Sequence, residues 1–131
     1  MKNSTPRPCP CGSRSSYLKC CKIWHQGKVP PLAEQLMRSR YSAYVLDQLD
    51  YLAHSWHPST RPAALSPNPA KLKWLGLQIR SQQAISPTEH LVEFVARSRF
   101  EGQPQRMHEI SRFIWENDRW WYVDGTFPEE A

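Results

Sequence analysis

The spacing of apolar residues changes once along the chain, near residue 71. Before that point, apolar side chains recur every three or four positions, which is the period of a helix buried on one face. After it, apolar and polar residues tend to alternate, as they do in half-buried strands. The pattern predicts helices followed by an antiparallel sheet, which is an α+β class of fold.

Two helices are expected ahead of the sheet. The first spans residues 32–45, with Pro31 in its first turn and an apolar stripe that includes Leu36 and Tyr41. A shorter helix begins near Asp50, and the proline-rich stretch that follows is expected to be loop. Strands are expected near residues 74–85, 90–100, 106–116 and 119–125. A curved sheet wrapped around a helix is a roll, and its concave face is a place where ligands commonly bind.

All four cysteines lie within thirteen residues near the start, at Cys9, Cys11, Cys20 and Cys21. A disulfide-stapled domain spreads its cysteines along the chain, whereas clustered thiols are typical of tetrahedral zinc sites. We therefore expect one Zn²⁺ held by four thiolates, with a structural role because no coordination position stays open. A redox dithiol and two strained local disulfides are the alternatives. His25 is a nearby spare ligand that we expect to be a bystander.

The backbone around the cysteines also suggests a compact site. Gly12 can turn the chain after the first two thiols, and Ser13 is expected to cap a short helix over residues 14–19. That helix would deliver the second cysteine pair at its C-terminal end.

The chain is expected to divide at a short linker around Pro30. Residues 1–28 then form the zinc-binding motif, and residues 29–131 form the α+β domain. A segment as short as the first has almost no core of its own. Removing the metal is therefore expected to unfold the first part and leave the second folded.

The cysteine pattern resembles the SEC-C zinc motif. The shared features are the spacing Cys9-x-Cys11-x8-Cys20-Cys21, the Cys-Gly-Ser sequence and Tyr17. That motif occurs in the C-terminal tail of the bacterial preprotein translocase ATPase, where it binds zinc and contacts the export chaperone. The resemblance implies zinc binding and protein contact. It does not imply a translocase, because this chain has no ATP-binding P-loop.

The remainder resembles the YchJ-like family of bacterial proteins, whose members join an N-terminal SEC-C motif to an NTF2-like domain. The matching stretches are residues 36–45, 50–52, Trp56-His57-Pro58, 74–77, 92–97, 111–113 and Trp121-Tyr122-Val123-Asp124-Gly125. With the cysteine motif they cover nearly the whole chain. The resemblance implies an NTF2-like roll and assigns no activity or catalytic residue.

The charge distribution bears on the partner. The net charge is +5, but residues 1–40 hold eight basic residues and one acidic residue, whereas residues 41–131 hold nine basic and eleven acidic residues. Basicity is thus confined to the cysteine segment, where thiolates would offset part of it. Only Tyr17 and Trp24 could stack on bases there, so nucleic-acid binding is disfavoured. A protein partner of unknown identity is the favoured expectation.

Two segments that would direct the chain to a membrane are missing from the sequence pattern. There is no apolar run of about 18 residues for a membrane-spanning helix. The first eight residues lack the apolar core of a secretory signal. We therefore expect a cytoplasmic protein that does not associate with membranes.

Polar side chains on the predicted strands raise the question of a pocket on the concave face. The candidate lining residues are Trp56, His57, Glu93, His108, Glu109 and Arg112. Glu93 with Glu109, or His108 with Arg112, could converge there and bind or transform a small molecule. The alternatives are cross-strand pairs and solvated side chains, and for His57 a bond to the last helix carbonyls. Without a nucleophile–base motif, catalysis is disfavoured, and small-molecule binding ranks behind protein recognition.

Two further expectations concern residues near these sites. Arg38 and Arg40 are expected to pair with acidic residues at positions 47, 50 or 124, because helix-borne arginines usually find carboxylates or solvent. Trp120 and Trp121 are adjacent on a strand and must point to opposite faces, so one is expected in the core.

Overall fold

The computed structural model describes residues 7–128, which form three helices and a four-stranded antiparallel sheet. The elements are a 3-10 turn at Tyr17–Lys19, helices α1 (Cys21–His25), α2 (Ala33–Val45) and α3 (Leu49–Ser55), and strands β1 (Leu72–Ser86), β2 (Glu89–Phe100), β3 (Gln103–Glu116) and β4 (Arg119–Thr126). The strands lie in the order β1-β2-β3-β4. The predicted α+β class is confirmed, and the two helices and four strands predicted after residue 31 end within about three residues of the observed bounds.

Tight turns join the strands of the sheet, and irregular strand pairing bends it. Asn117 and Asp118 both have positive φ, at 54° and 63°, which is the conformation of a two-residue hairpin turn that matches strand twist. The β1–β2 pairing shifts register at three places, and the β3–β4 pairing shifts between Arg112 and Phe113. Such bulges bend and twist strands, so they curve the sheet around the helices.

The main core lies between α2 and one face of the sheet. Leu36, Met37 and Tyr41 of α2 pack with sheet residues such as Phe94 and Phe113, and all are buried. Burying side chains of this size contributes about 1.5–3 kcal/mol each, which makes this layer the main source of stability.

The two neighbouring tryptophans of β4 lie on opposite faces, as expected. Trp120 belongs to the core, and its indole N–H donates to the Pro31 carbonyl at 3.1 Å. Trp121 is half-buried on the other face, where the Arg119 guanidinium carbon lies 3.7 Å from its ring centroid.

The helix expected over residues 14–19 does not form. Arg14 has a φ of 72°, which interrupts any right-handed helix at its start. The Ser13 hydroxyl contacts the Cys20 sulfur at 3.1 Å instead of capping a helix. Only a 3-10 turn precedes the second cysteine pair, and Cys21 begins α1. The two adjacent thiols therefore converge at a junction between helical segments.

The expected arginine partners are also wrong. Arg38 pairs with Glu34 at 2.8 Å within its own helix. Arg40 is buried and donates to the Leu52 carbonyl at 2.9 Å. The helix face decides this outcome, because position 40 lies between the core residues Leu36 and Met37 around the helix axis.

None of the helices formed by residues 7–128 has the length and apolar character needed to cross a bilayer.

Candidate metal centre and candidate ligand cavity

Four thiols converge where the N-terminal segment meets α2. This cysteine cluster comprises Cys9, Cys11, Cys20 and Cys21, whose sulfurs all lie within 4.8 Å of one another. Gly12 turns the chain with a φ of 80°, and a Cβ there would sit 3.3 Å from the Leu77 carbonyl oxygen of β1. Glycine at this position thus combines a left-handed turn with a close approach to the sheet. Three of the four cysteines are buried as a result.

The donors and their spacing fit a tetrahedral metal ion. The sulfurs of Cys11 and Cys20 are 3.6 Å apart. Metal–sulfur bonds of about 2.3 Å place tetrahedral neighbours about 3.8 Å apart, whereas a disulfide requires about 2.05 Å. Four thiolates are also a donor set suited to zinc and similar soft-binding ions. The cluster is therefore compatible with one bound metal ion.

The cysteines of the cluster differ in how readily they lose their protons. Hydrogen bonds from the Cys11 and Cys21 thiols lower the pKa of Cys9, which allows a thiolate there. Burial raises the pKa of Cys20 to about 11. Hydrogen bonds with Cys11 and Cys9, and then burial, raise the pKa of Cys21. Cys20 and Cys21 therefore keep their protons at neutral pH unless a cation replaces them, as metal binding does.

Helix α2 supplies the surroundings of the cluster. The Ser42 hydroxyl is fully buried and donates to the Cys21 sulfur at 3.2 Å, and it lies 3.5 Å from the Cys9 sulfur. Arg38 donates to the Cys11 carbonyl at 2.7 Å. Sequence spacing could not reveal Ser42, because it lies 21 residues beyond the last cysteine. The surroundings of the candidate metal centre therefore come partly from α2.

His25 links the cluster segment to the helices without facing the sulfurs. Its Nε2 lies 2.8 Å from the Ser39 carbonyl oxygen, and its Nδ1 lies 2.7 Å from the Tyr17 hydroxyl. Tyr17 in turn accepts a hydrogen bond from Gln48 at 3.0 Å. Burial lowers the pKa of His25, which favours the neutral ring. Both ring nitrogens are thus engaged, consistent with the expected bystander role.

The six residues proposed for the concave face separate into different environments. Trp56 and Glu109 line a cavity on the helix side of the sheet. Glu93 and His108 instead bond each other across the strands at 2.6 Å, and Arg112 pairs with Asp124 at 3.0 Å. Hydrogen bonding to His108 is also the main cause that lowers the pKa of Glu93.

The predicted convergence of Glu93 with Glu109, or of His108 with Arg112, in the cavity is therefore wrong. Register explains the error, because Phe94, not Glu93, stands opposite Glu109. Alternation along the strands then places Glu93 and Glu109 on opposite faces. The cross-strand alternative holds for the Glu93–His108 pair.

His57 fits neither of its expected roles. Its Nδ1 lies 2.7 Å from the Ser59 hydroxyl, and its Nε2 lies 3.1 Å from Glu116. Its backbone N–H donates to the Tyr122 carbonyl at 2.8 Å, which ties the end of α3 to β4. His57 therefore has a local structural role outside the cavity.

The cavity has a volume of about 440 Å³ and lies between α2, the loop at residues 66–69 and the sheet. Its walls are mostly apolar and aromatic, and include Tyr41, Tyr44, Trp56, Trp74, Phe94 and Met107. A larger cavity of about 680 Å³ lies beside α3, but its acidic residues Asp47 and Asp50 are exposed to solvent. Only the smaller cavity joins apolar walls to buried charged groups, a combination typical of ligand sites.

Arg40 is the first of these groups and is only 3% exposed. Its Nη1 donates to the Leu52 carbonyl and to the Ser55 hydroxyl, at 2.9 and 2.6 Å. Its guanidinium carbon lies 4.3 Å from the Tyr122 ring centroid and 4.9 Å from that of Trp56. Burial lowers its pKa, yet a guanidinium remains charged in proteins. The sequence signal that could have identified this residue is a charge within the apolar stripe of a helix.

Glu109 is the second, at 7% exposure. Its Oε2 accepts hydrogen bonds from Ser111 at 2.7 Å and from Tyr122 at 3.1 Å. Burial raises the pKa of Tyr122, so its hydroxyl remains a donor. The carboxylate lies against Gly125, where a Cβ would clash with Oε2 unless the Glu109 side chain moved.

Replacing Ser42 with alanine tests its contact with the cluster. We expect the affinity for zinc to fall about 10- to 100-fold, because groups that hydrogen-bond metal ligands have effects of that size. Competition with a chromophoric chelator measures the change. Ser59→Ala is the matched control, since Ser59 is exposed and its hydroxyl bonds His57, not a cysteine. Equal affinities for both variants would show that the Ser42 contact is incidental.

Comparisons with known proteins agree with this architecture. Residues 32–125 match the family described as the YchJ, middle NTF2-like domain. A UPF0225 protein of Bordetella parapertussis is 57% identical over 125 residues, covering 93% of this chain and 94% of the relative. One from Methylibium petroleiphilum is 52% identical, covering 92% of this chain and 88% of the relative.

Two solved structures share the fold. The solution structure of a SEC-C motif containing protein from Rhodopseudomonas palustris has a TM-score of 0.80 and 28% identity, covering 94% of this chain and all of that one. A crystal structure of another from Psychrobacter arcticus has a TM-score of 0.78 and 25% identity, covering 95% and 85%. The predicted resemblance is thus confirmed: the chain belongs to the UPF0225 family and joins a SEC-C-like cysteine cluster to a YchJ-type NTF2-like domain.

Proposed function

We propose that this protein is a zinc-stabilised binding protein whose NTF2-like domain takes a small molecule into the cavity. The observation that carries the proposal is Arg40. Among residues 7–128, no carboxylate lies within ion-pair distance of this buried guanidinium. A buried charge without an ionic partner is costly, and the two aromatic rings offset only part of that cost. A ligand with an acceptor group would complete its surroundings.

Zinc is the metal that best suits the cluster. Four thiolates form a closed tetrahedral site, in which the ion has a structural role and no position for a reacting water. Its contribution is to cross-link the turn around Gly12 to the start of α1. The Ser42 and Arg38 contacts then hold this cross-linked segment against α2.

Native mass spectrometry of the purified protein tests the metal assignment. We expect one zinc ion per chain in the wild type and less than a tenth of that in Cys20→Ser, because three sulfurs leave the tetrahedron open. His25→Gln should keep its zinc, since both ring nitrogens of His25 have other partners. A zinc-free wild type with paired cysteines would contradict the assignment.

A fluorescent apolar probe tests ligand binding. N-phenyl-1-naphthylamine should bind the wild type saturably at one site, because an apolar cavity of this volume accommodates its rings. Ala96→Phe, which adds a ring at the cavity wall, should weaken binding at least tenfold. Ala64→Phe in the exposed loop is the control.

Met107→Trp provides a second way to fill the cavity if Ala96→Phe does not fold. Met107 lines the same cavity but is 38% exposed, so a larger side chain there strains the fold less. A wild type that does not bind the probe, or folded filling variants that bind it normally, would contradict the proposal.

Protein recognition is the second candidate, although the sequence taken by itself favours it over ligand binding. Leu18 is 56% exposed on the turn that precedes the second cysteine pair. Basic residues Arg14, Lys19 and Lys22 surround it in the sequence. An exposed apolar side chain within a basic segment suits an acidic protein surface. The metal would then hold this turn in a fixed shape for docking.

Quantitative affinity capture from the lysate of a bacterium that carries a family member tests this candidate. Leu18→Asp should capture at least tenfold less of each partner protein than the wild type does, because it removes the apolar contact and adds a repelling charge. Leu75→Asp, at 51% exposure on β1, is the matched control. Identical partner sets for the wild type and Leu18→Asp would argue against docking through this turn.

A further inference from the structure

We propose that the cavity selects a flat, dipolar molecule of zero net charge, which places a hydrogen-bond acceptor against Arg40 and a donor against Glu109. This inference rests on the proposed ligand-binding function and names the class of ligand. It follows from the hydrogen-bonding capacity left over on the two buried charges, from their opposite signs and from the shape of the walls.

Arg40 has hydrogen-bond donors that it does not use within the described residues. A guanidinium carries five N–H groups. The two bonds of Arg40 to α3 both come from Nη1, which leaves Nε and Nη2 without a hydrogen-bond acceptor among the described residues. Trp56 lines the same wall, and its enclosed indole N–H has no partner in residues 7–128. A ligand acceptor such as a carbonyl oxygen would satisfy this donor-rich side.

Glu109 has a carboxylate oxygen that accepts no hydrogen bond from the described residues. Both of its hydrogen bonds, from Ser111 and from Tyr122, go to Oε2, so Oε1 has no hydrogen-bond donor within the described part of the chain. The carboxylate fills the space that a side chain at position 125 would need, and the two hydrogen bonds to Oε2 hold it there. A ligand N–H group aimed at Oε1 would therefore meet a fixed acceptor, as preorganised sites require.

The opposite charges set the net charge of the ligand. Arg40 and Glu109 line one cavity without forming an ion pair with each other. An anion would be attracted by Arg40 but repelled by Glu109, and a cation would be attracted by Glu109 but repelled by Arg40. A neutral group with adjacent acceptor and donor, such as a primary amide or a ring lactam, interacts favourably with both.

The walls favour a planar body. Tyr41 and Trp74 meet edge to face with ring centroids 5.6 Å apart, and Phe94 lines the cavity from the sheet. Aromatic walls of this kind prefer the faces and edges of other flat rings. A bicyclic ring with a short polar arm fits the volume of about 440 Å³.

Three indole derivatives that differ only in the polar arm form the test. Indole-3-acetamide is neutral with a donor and an acceptor, indole-3-acetate is an anion, and tryptamine is a cation. We expect the wild-type protein, measured by titration calorimetry and by amide chemical shifts, to bind the acetamide at least tenfold more tightly than either charged probe.

Two variants should change the preference in opposite directions. Glu109→Gln removes the negative charge and keeps the side-chain shape. The affinity for indole-3-acetate should therefore rise at least tenfold relative to the affinity for the acetamide. Arg40→Met removes the positive charge, so the relative affinity for tryptamine should rise by a similar factor. Glu101→Gln and Arg97→Met remove the same charges from exposed positions and should leave the order of the probes unchanged. If Arg40→Met does not fold, Glu109→Gln alone decides the outcome.

The outcomes separate this inference from the proposed function. Equal binding of the three probes, or an unchanged order in folded Glu109→Gln, overturns the charge selection and leaves ligand binding intact. The selection is also overturned if no indole binds while the naphthylamine probe does. Failure of every probe, including the naphthylamine, overturns the binding function itself.

Discussion

The position of α2 between the cysteine cluster and the sheet is the constraint on which the rest of the structure depends. One side of this helix gives the Ser42 hydroxyl to the sulfurs and the Arg38 guanidinium to a backbone carbonyl beside them. The other side packs Leu36 and Tyr41 into the core. Because the cysteine cluster and the core share this helix, the cluster segment helps to hold α2 in position in the domain.

The cavity depends on the same helix. Arg40 lies two residues before Ser42, and its Nη1 holds α3 through the Leu52 carbonyl. A shift of α2 would therefore move this guanidinium relative to Glu109, which the sheet fixes through Ser111 and Gly125. The cysteine cluster and the cavity thus contact the same helix, and a shared rigid element is the physical requirement for coupling between two sites.

Local patterns predicted much of the structure, and long-range pairing supplied what they missed. Apolar periodicity located α2 and the strands because one face of each is buried, and clustered thiols located the candidate metal centre because soft-binding ions need such donors. The cavity residues were harder to predict. Strand alternation alone could not reveal that Glu109 stands opposite Phe94 while Glu93 bonds His108 outside. Ser42 has no local sequence signal, and the signal of Arg40 is a single charge within the apolar stripe of α2.

Hydrogen exchange of α2 with and without the metal tests this linkage most directly. We expect that chelating the metal speeds exchange of the amides in α2 at least tenfold, while amides of β2 in the sheet stay protected, because the cluster contacts α2 through Ser42 and Arg38. Loss of protection confined to the residues before α2, with the helix unchanged, would contradict the claim that the cysteine cluster holds the helix in place.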